Sequence, residues 1–142
     1  MRFLLDTNVL SEPLRPLPDP GVLEGIEAHR NEVATACVVW HELWYGAARL
    51  TPSRRRAKIE RYFRALESAG LEILPYDAAA ARWHARERAR LSGLGRSLPL
   101  ADGQIAAIAR VNDLTLVTAN GRDYQGLEGL RLEDWRSGAK EL

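Results

Sequence analysis

The sequence predicts an α/β sandwich, with a mostly parallel sheet of about five strands and helices on both faces. Three observations predict it. Short apolar runs alternate with longer segments of helical character, so successive strands need crossovers and pair in parallel, with right-handed connections. Helix caps and breakers fall where that alternation requires them. The 142 residues carry no repeat, low-complexity tract or linker, so a single domain over 1–142 is expected, long enough to bury a core.

Arg2–Leu5 (RFLL) is a short apolar run and reads as the first buried strand. Pro13, Pro16, Pro18 and Pro20 interrupt regular structure after it. Asp19 then caps a helix with Pro20 in its first turn, running to about His29. Glu32–Cys37, which contains VATAC, is the second strand. Val39–Leu50 reads as a helix, although its β-branched start also suits a strand. Ser53 caps a long helix to about Ala69, closed by Gly70. Leu71–Leu74 (LEIL) is the third strand, and Asp77 caps a helix through about Leu91. SGLGRSLP is a loop by composition. Leu100–Asn112 is helical, Leu114–Thr118 (LTLVT) is a strand, and Leu130–Leu132 is a candidate last strand.

Composition excludes several classes. Hydrophobic residues make up 46% of the chain and charged residues 27%, the balance of an ordinary soluble domain. No apolar run approaches the roughly 20 residues of a membrane span, and the N-terminus lacks the features of a signal peptide. A cytoplasmic protein with no membrane association is the default expectation. Cys37, the sole cysteine, rules out an intrachain disulfide and a cysteine-rich zinc site, and reads as a small buried residue. His29, His41 and His84 lack metal-ligand spacing. No glycine-rich phosphate loop follows the first strand, and no Ser–His–Asp or Cys–His arrangement stands out. His41, beside Glu42, reads as structural rather than as a general base.

The net charge of +1 hides local basic stretches. Arg82, Arg86 and Arg90 recur every fourth residue, and Arg54, Lys58 and Arg61 form a second stripe. Either stripe could bind nucleic-acid phosphates, and either could be an ordinary solvated helix face. Trp40, Trp44 and Tyr45 suit base stacking or a partner, but core packing or a dimer seam is the stronger reading beside Val38 and Val39.

Four carboxylates are the candidates for chemistry, although each is ordinary by itself and Asp102 and Asp123 read equally as a first-turn cap and a surface loop residue. Asp6 follows the first strand directly, with Thr7 and Asn8 behind it; by itself it reads equally as a turn or a cap. Glu42 has Val38, Val39, Tyr45 and Gly46 as its one-turn neighbours, an apolar-to-small face that suggests burial. Asp102 shares a face with Ile105, Ala106 and Ala109 and lies in the first turn of its helix, where the dipole favours an anion. Asp123 follows the LTLVT strand, three residues after Asn120, whose Asn-Gly pair also signals a simple turn. Strand ends in a parallel sheet are where polar functional groups gather. Carboxylates brought together repel unless a cation lies between them, and an oxygen-only set suits a hard divalent ion.

LLDTNVLSEP, the helix bearing Glu42, LADGQIAAIA and LVTANGRDY occur in the order expected of a PIN domain, and the chain resembles the VapC-type toxins of bacterial type II toxin–antitoxin systems. The match covers nearly the whole chain, and DTN with AD-x-x-IAAIA is its most specific part. The resemblance implies a Mg2+- or Mn2+-dependent endoribonuclease, a cognate VapB-type antitoxin whose tail occupies the active-site groove, and a homodimer. It implies Asp6 and Asp102 as primary metal ligands, with Glu42 completing the site directly or through water. Some relatives carry the fourth acidic residue at the position of Asn120 and others at that of Asp123; Asp123 is favoured here, with Asn120 and Thr118 as polar support. Two alternatives stand beside this reading: a non-toxin RNA-processing nuclease, and a non-catalytic binding module with a degenerate acidic site. An aspartyl-phosphate mechanism at Asp6 ranks below them, because DTN lacks a second Asp two residues on.

Overall fold

The computed structural model describes residues 1–139. Strands β1 (Phe3–Leu5), β2 (Val33–Ala36), β3 (Glu72–Leu74), β4 (Thr115–Val117) and β5 (Leu132–Glu133) form one sheet in the order β3-β2-β1-β4-β5. Every pairing is parallel, in keeping with the sequence expectation. β1 and β4 are buried along their whole length, as strands covered on both faces must be. Six helices connect and flank the strands: α1 (Thr7–Leu10), α2 (Pro20–Ala28), α3 (Cys37–Ala48), α4 (Arg54–Ser68), α5 (Ala78–Gly93) and α6 (Leu100–Val111). None of them is long and apolar enough to cross a membrane.

The caps read from the sequence close the helices as expected. Asp19 accepts from the Gly21 and Val22 N–H groups, Ser53 from Arg56 N–H, and Asp77 from Ala80 N–H. Gly70 ends α4 with φ of +91°, and Leu71 N–H donates back to Leu66 O, a left-handed closure that a side chain would strain.

Four expectations need correction. The segment after β1 is not irregular: Asp6 starts the short helix α1, and Glu12–Leu14 adds a 3-10 turn that takes Pro13 in its first positions. α3 begins at Cys37, directly after β2, and its β-branched Val39 is fully buried, so packing overrides local preference. The last strand starts at Leu132, because Leu130 N–H is used in a turn to Leu127 O. The face of α3 that carries Glu42 is exposed, since the helix buries the row Val39, Leu43 and Ala47 instead. Trp40 and Trp44 flank that row and pack on Phe63, the use that sequence reasoning favoured for them over base stacking.

In α6 the whole run Ile105–Ala109 is buried, so this helix is clamped on nearly every side. Gly103 makes the clamp possible: a Cβ there would lie 2.1 Å from His84 Nε2 on α5. β1 pairs with β2 on one edge and β4 on the other, so the strand order reverses between β1 and β4. A crevice opens beyond the carboxyl ends at such a switch point.

The chain leaving that crevice is pinned from α5. Glu87 is buried and accepts from Arg90 and from Glu128 N–H, while Arg90 also donates to Gly126 O and Arg96 to Gln125 O. The pair holds the Glu87 carboxyl below its ordinary value, chiefly through the Arg90 hydrogen bonds. Glu87→Ala is expected to cost about 2–3 kcal/mol, as for lost hydrogen bonds to a charged group. The midpoint of urea unfolding reads this directly, and a change below about 0.5 kcal/mol would mean that other contacts hold the segment.

Candidate active site

The crevice holds the acidic residues. Asp6 N–H donates to Val117 O at 2.9 Å, which carries the β1–β4 ladder one residue further and fixes the Asp6 backbone. Its side chain is only 6% exposed. Oδ1 accepts from Thr7 N–H at 2.8 Å, and Oδ2 accepts from Thr118 Oγ1 at 2.8 Å. Thr118 Oγ1 in turn accepts from Asn120 N–H at 3.0 Å, and Asn8 Oδ1 accepts from Ala119 N–H at 3.3 Å. The strand end after β4 is thus tied to the strand end after β1. Thr7 Oγ1 donates to Glu42 Oε2 at 2.7 Å, so the first strand end also aims the carboxylate from α3.

Asp102 enters from the first turn of α6 and Asp123 from the 3-10 turn Gly121–Tyr124. Asp6, Glu42, Asp102 and Asp123 line one open cleft of about 370 Å³ with Thr7, Asn8, Asn120 and Tyr124, and among the described residues no lysine or arginine lines it. Sequence reasoning overlooked Tyr124. Its hydroxyl is buried 3.4 Å from Asp6 Oδ2 and 3.4 Å from Asp102 Oδ1, and donates into the gap between them. An aromatic residue in a post-strand loop gives no signal of that role; only the fold turns its hydroxyl toward two carboxylates.

Burial raises the Asp6 carboxyl above its ordinary value and the Glu42 charge adds to the rise, against the hydrogen bonds from Thr118, Thr7 and Tyr124. Asp102 is raised by burial first, then by Asp6, Asp123 and Glu42. A bound cation would relieve this repulsion, which no basic residue lining the cleft offsets among the described residues. The donors are all hard oxygens, which suits Mg2+ or Mn2+ better than zinc. Among the described residues, no three acidic, histidine or cysteine side chains stand close enough to enclose an ion as they are placed. Two carboxylates with water completing the shell fit magnesium, which keeps several waters.

These shifts have a sign in stability. A carboxyl raised in the native state is still protonated there when the unfolded chain has already ionised, so its contribution to stability falls as pH rises above about 4. Asp134 and Glu87 are lowered and act in the opposite direction, so the whole-protein slope is not diagnostic. The difference between two proteins is. In chelator, Asp6→Asn is expected to gain stability relative to the parent as pH rises above about 4, read from urea midpoints at each pH; a constant difference would contradict this.

The basic stripes lie elsewhere. None of Arg82, Arg86, Arg90, Arg54, Lys58 and Arg61 lines the acidic cleft. Arg86 and Arg90 border a separate hollow on α5 with Trp83 and Arg110, and Arg90 is engaged by Glu87. Arg54, Lys58 and Arg61 are exposed on α4.

Residues 3–129 match the PIN domain family. The chain is 35% identical over 136 residues to the tRNA(fMet)-specific endonuclease VapC of Shigella flexneri, covering 95% of this chain and 98% of that protein. It is 33% identical to the toxin FitB of Neisseria gonorrhoeae over 94% of this chain and 98% of that one. The crystal structure of DNA-bound VapBC from Salmonella typhimurium superposes with a TM-score of 0.80 at 28% identity, covering 95% of this chain and 98% of that one. With the family match over residues 3–129 and 35% identity to a VapC endonuclease along nearly the full length of both chains, the chain belongs to the PIN-domain family, on its VapC-like branch.

Proposed function

We propose that this protein is a divalent-metal-dependent endoribonuclease that acts as the toxin of a toxin–antitoxin pair. The carrying observation is the meeting of Asp6, Glu42, Asp102 and Asp123 in one cleft at the sheet's switch point, in a chain whose relatives are ribonucleases. Residues 1–142 form a single PIN domain in this reading. Asp6 and Asp102 would hold a Mg2+ or Mn2+ ion, and Glu42 would complete the site directly or through water.

When bound, the ion supplies an acidified water and offsets charge on the scissile phosphate. The chain's own residues do the rest. Thr7 and Thr118 fix the Asp6 carboxylate, so little ordering is lost when it takes up its load. Tyr124 stands between Asp6 and Asp102, its hydroxyl 3.4 Å from an oxygen of each, and so holds the two carboxylates in a fixed relation. Asp123, exposed at the mouth, completes the negative rim. Arg82 and Arg86, with Arg54, Lys58 and Arg61, hold RNA phosphates beyond the cleft; Arg90 is largely occupied by Glu87.

The match to the DNA-bound VapBC structure supports a VapB-type antitoxin as partner and an assembly larger than one chain, read here as a homodimer. The toxin name of the Neisseria relative favours growth inhibition over housekeeping RNA processing. The test has two parts. Purified protein should cut RNA with Mg2+ or Mn2+, stop in chelator and resume when the ion is restored. Expression without a partner should arrest growth, and co-expression with an antitoxin encoded beside it should relieve the arrest. Cutting that survives chelation would remove the metal from the account.

A further inference from the structure

The exposed side of α3 is unexplained by the fold. Tyr45 is 57% exposed, one turn from Glu42, although its neighbours Trp40 and Trp44 turn inward. The Arg49 guanidinium lies 5.3 Å from the Tyr45 ring centroid, and the His41 ring lies 6.3 Å away, tilted by 60°. These three side chains follow one another at intervals of four along the helix. Gly46 adjoins them, four residues on from Glu42. It sits inside α3, where glycine is less stable than alanine, yet a Cβ there would meet nothing within 4 Å. Neither a turn, a packing clash nor a positive φ requires glycine at this place. A glycine that the fold does not need, on a surface next to the cleft, suits the close approach of a ligand to the helix backbone.

We infer that Tyr45, Gly46 and Arg49 seat an unpaired nucleotide of the RNA adjoining the one cut in the cleft. The base stacks on the Tyr45 ring, Gly46 leaves room for it against α3, and Arg49 meets the neighbouring phosphate. A ring face accepts any base, so this seat favours single-stranded RNA without choosing its sequence. Arg49 over the ring both holds Tyr45 in place and supplies the charge that the acidic cleft lacks. The inference deepens the ribonuclease reading and rests on it.

The test measures binding of a fluorescein-labelled hairpin RNA with an unpaired loop, by anisotropy, in an Asp102→Asn background that leaves the RNA whole. Tyr45→Ala is expected to weaken binding about five- to thirtyfold, while Tyr45→Phe and Tyr45→Trp stay within about threefold. Gly46→Ala is expected to raise the melting temperature by about 2–5 °C and still weaken RNA binding by at least about fivefold, a combination that a purely structural role does not produce. RNA affinity within twofold of the background for both Tyr45→Ala and Gly46→Ala overturns the seat. So does loss of antitoxin capture with RNA affinity intact, which would give this surface to the protein partner. Cleavage by the parent protein is followed separately: RNA bound through Tyr45 but never cut would fault the nuclease reading and leave the seat standing.

Discussion

Asp102→Asn is expected to lower RNA cleavage by about a thousandfold or more while the fold survives, the scale of several kcal/mol of lost transition-state stabilisation. Asp102 is half-buried at the start of α6, and among the described residues no backbone N–H donates to its carboxylate. An asparagine keeps the size and an oxygen for the Tyr124 hydroxyl, which lies 3.4 Å from Oδ1. What it loses is one of the two carboxylates proposed to hold the ion. The same change removes repulsion from Asp6, Asp123 and Glu42, which with burial holds the Asp102 carboxyl above its ordinary value. In chelator the variant is therefore expected to melt no lower than the parent. Steady-state cleavage and thermal melts on the same preparations check both halves. A variant that cuts within about tenfold of the parent would remove Asp102 from the machinery.

Gly103→Ala is expected to destabilise the protein by about 2–3 kcal/mol, at the upper end for an overpacked core, and to reduce cleavage although no chemical group is lost. The added methyl would sit 2.1 Å from His84 Nε2. The imidazole cannot swing aside freely, because its Nδ1 lies 2.8 Å from the Tyr76 hydroxyl and the ring is buried. Either α5 or α6 must move, and Asp102 is the residue next to Gly103. Burial lowers the His84 pKa, with Arg88 adding to it, so the ring is neutral in this contact near pH 7. Combining Gly103→Ala with His84→Ala should recover part of both losses, since the two sites share one volume. Urea unfolding gives the stability terms and their coupling. Strict additivity would show that the two residues do not compete for that space.

The sequence made much of the element order legible because the starts of α2, α4 and α5 carry a local signal, whereas α3 and α6 begin without a side-chain cap. Asp19, Ser53 and Asp77 cap with their own side chains, and Gly70 needs only its own φ. The strand ends were legible for the same reason, since Asp6 and Thr118 stand directly behind apolar runs. The surroundings of Glu42 were misread. Its helix has apolar residues on two faces, and which face turns inward depends on Phe63 and the sheet, far away in sequence. Tyr124 and Gly103 were invisible because their roles exist only against Asp6 and His84, more than a hundred residues away in one case and on another helix in the other. Arg90 shows the converse: a regular basic spacing suited a phosphate contact or a solvated face equally, and the fold adds a buried Glu87 one turn away that the spacing did not reveal.

The most direct measurement is calorimetric titration of manganese into the parent protein and into Asp6→Asn at neutral pH. We predict that the parent binds the ion with an affinity tighter than millimolar and that Asp6→Asn loses at least about tenfold of it. No binding to the parent at millimolar manganese, or equal binding to both proteins, would contradict the claim that these distant carboxylates form one cation site.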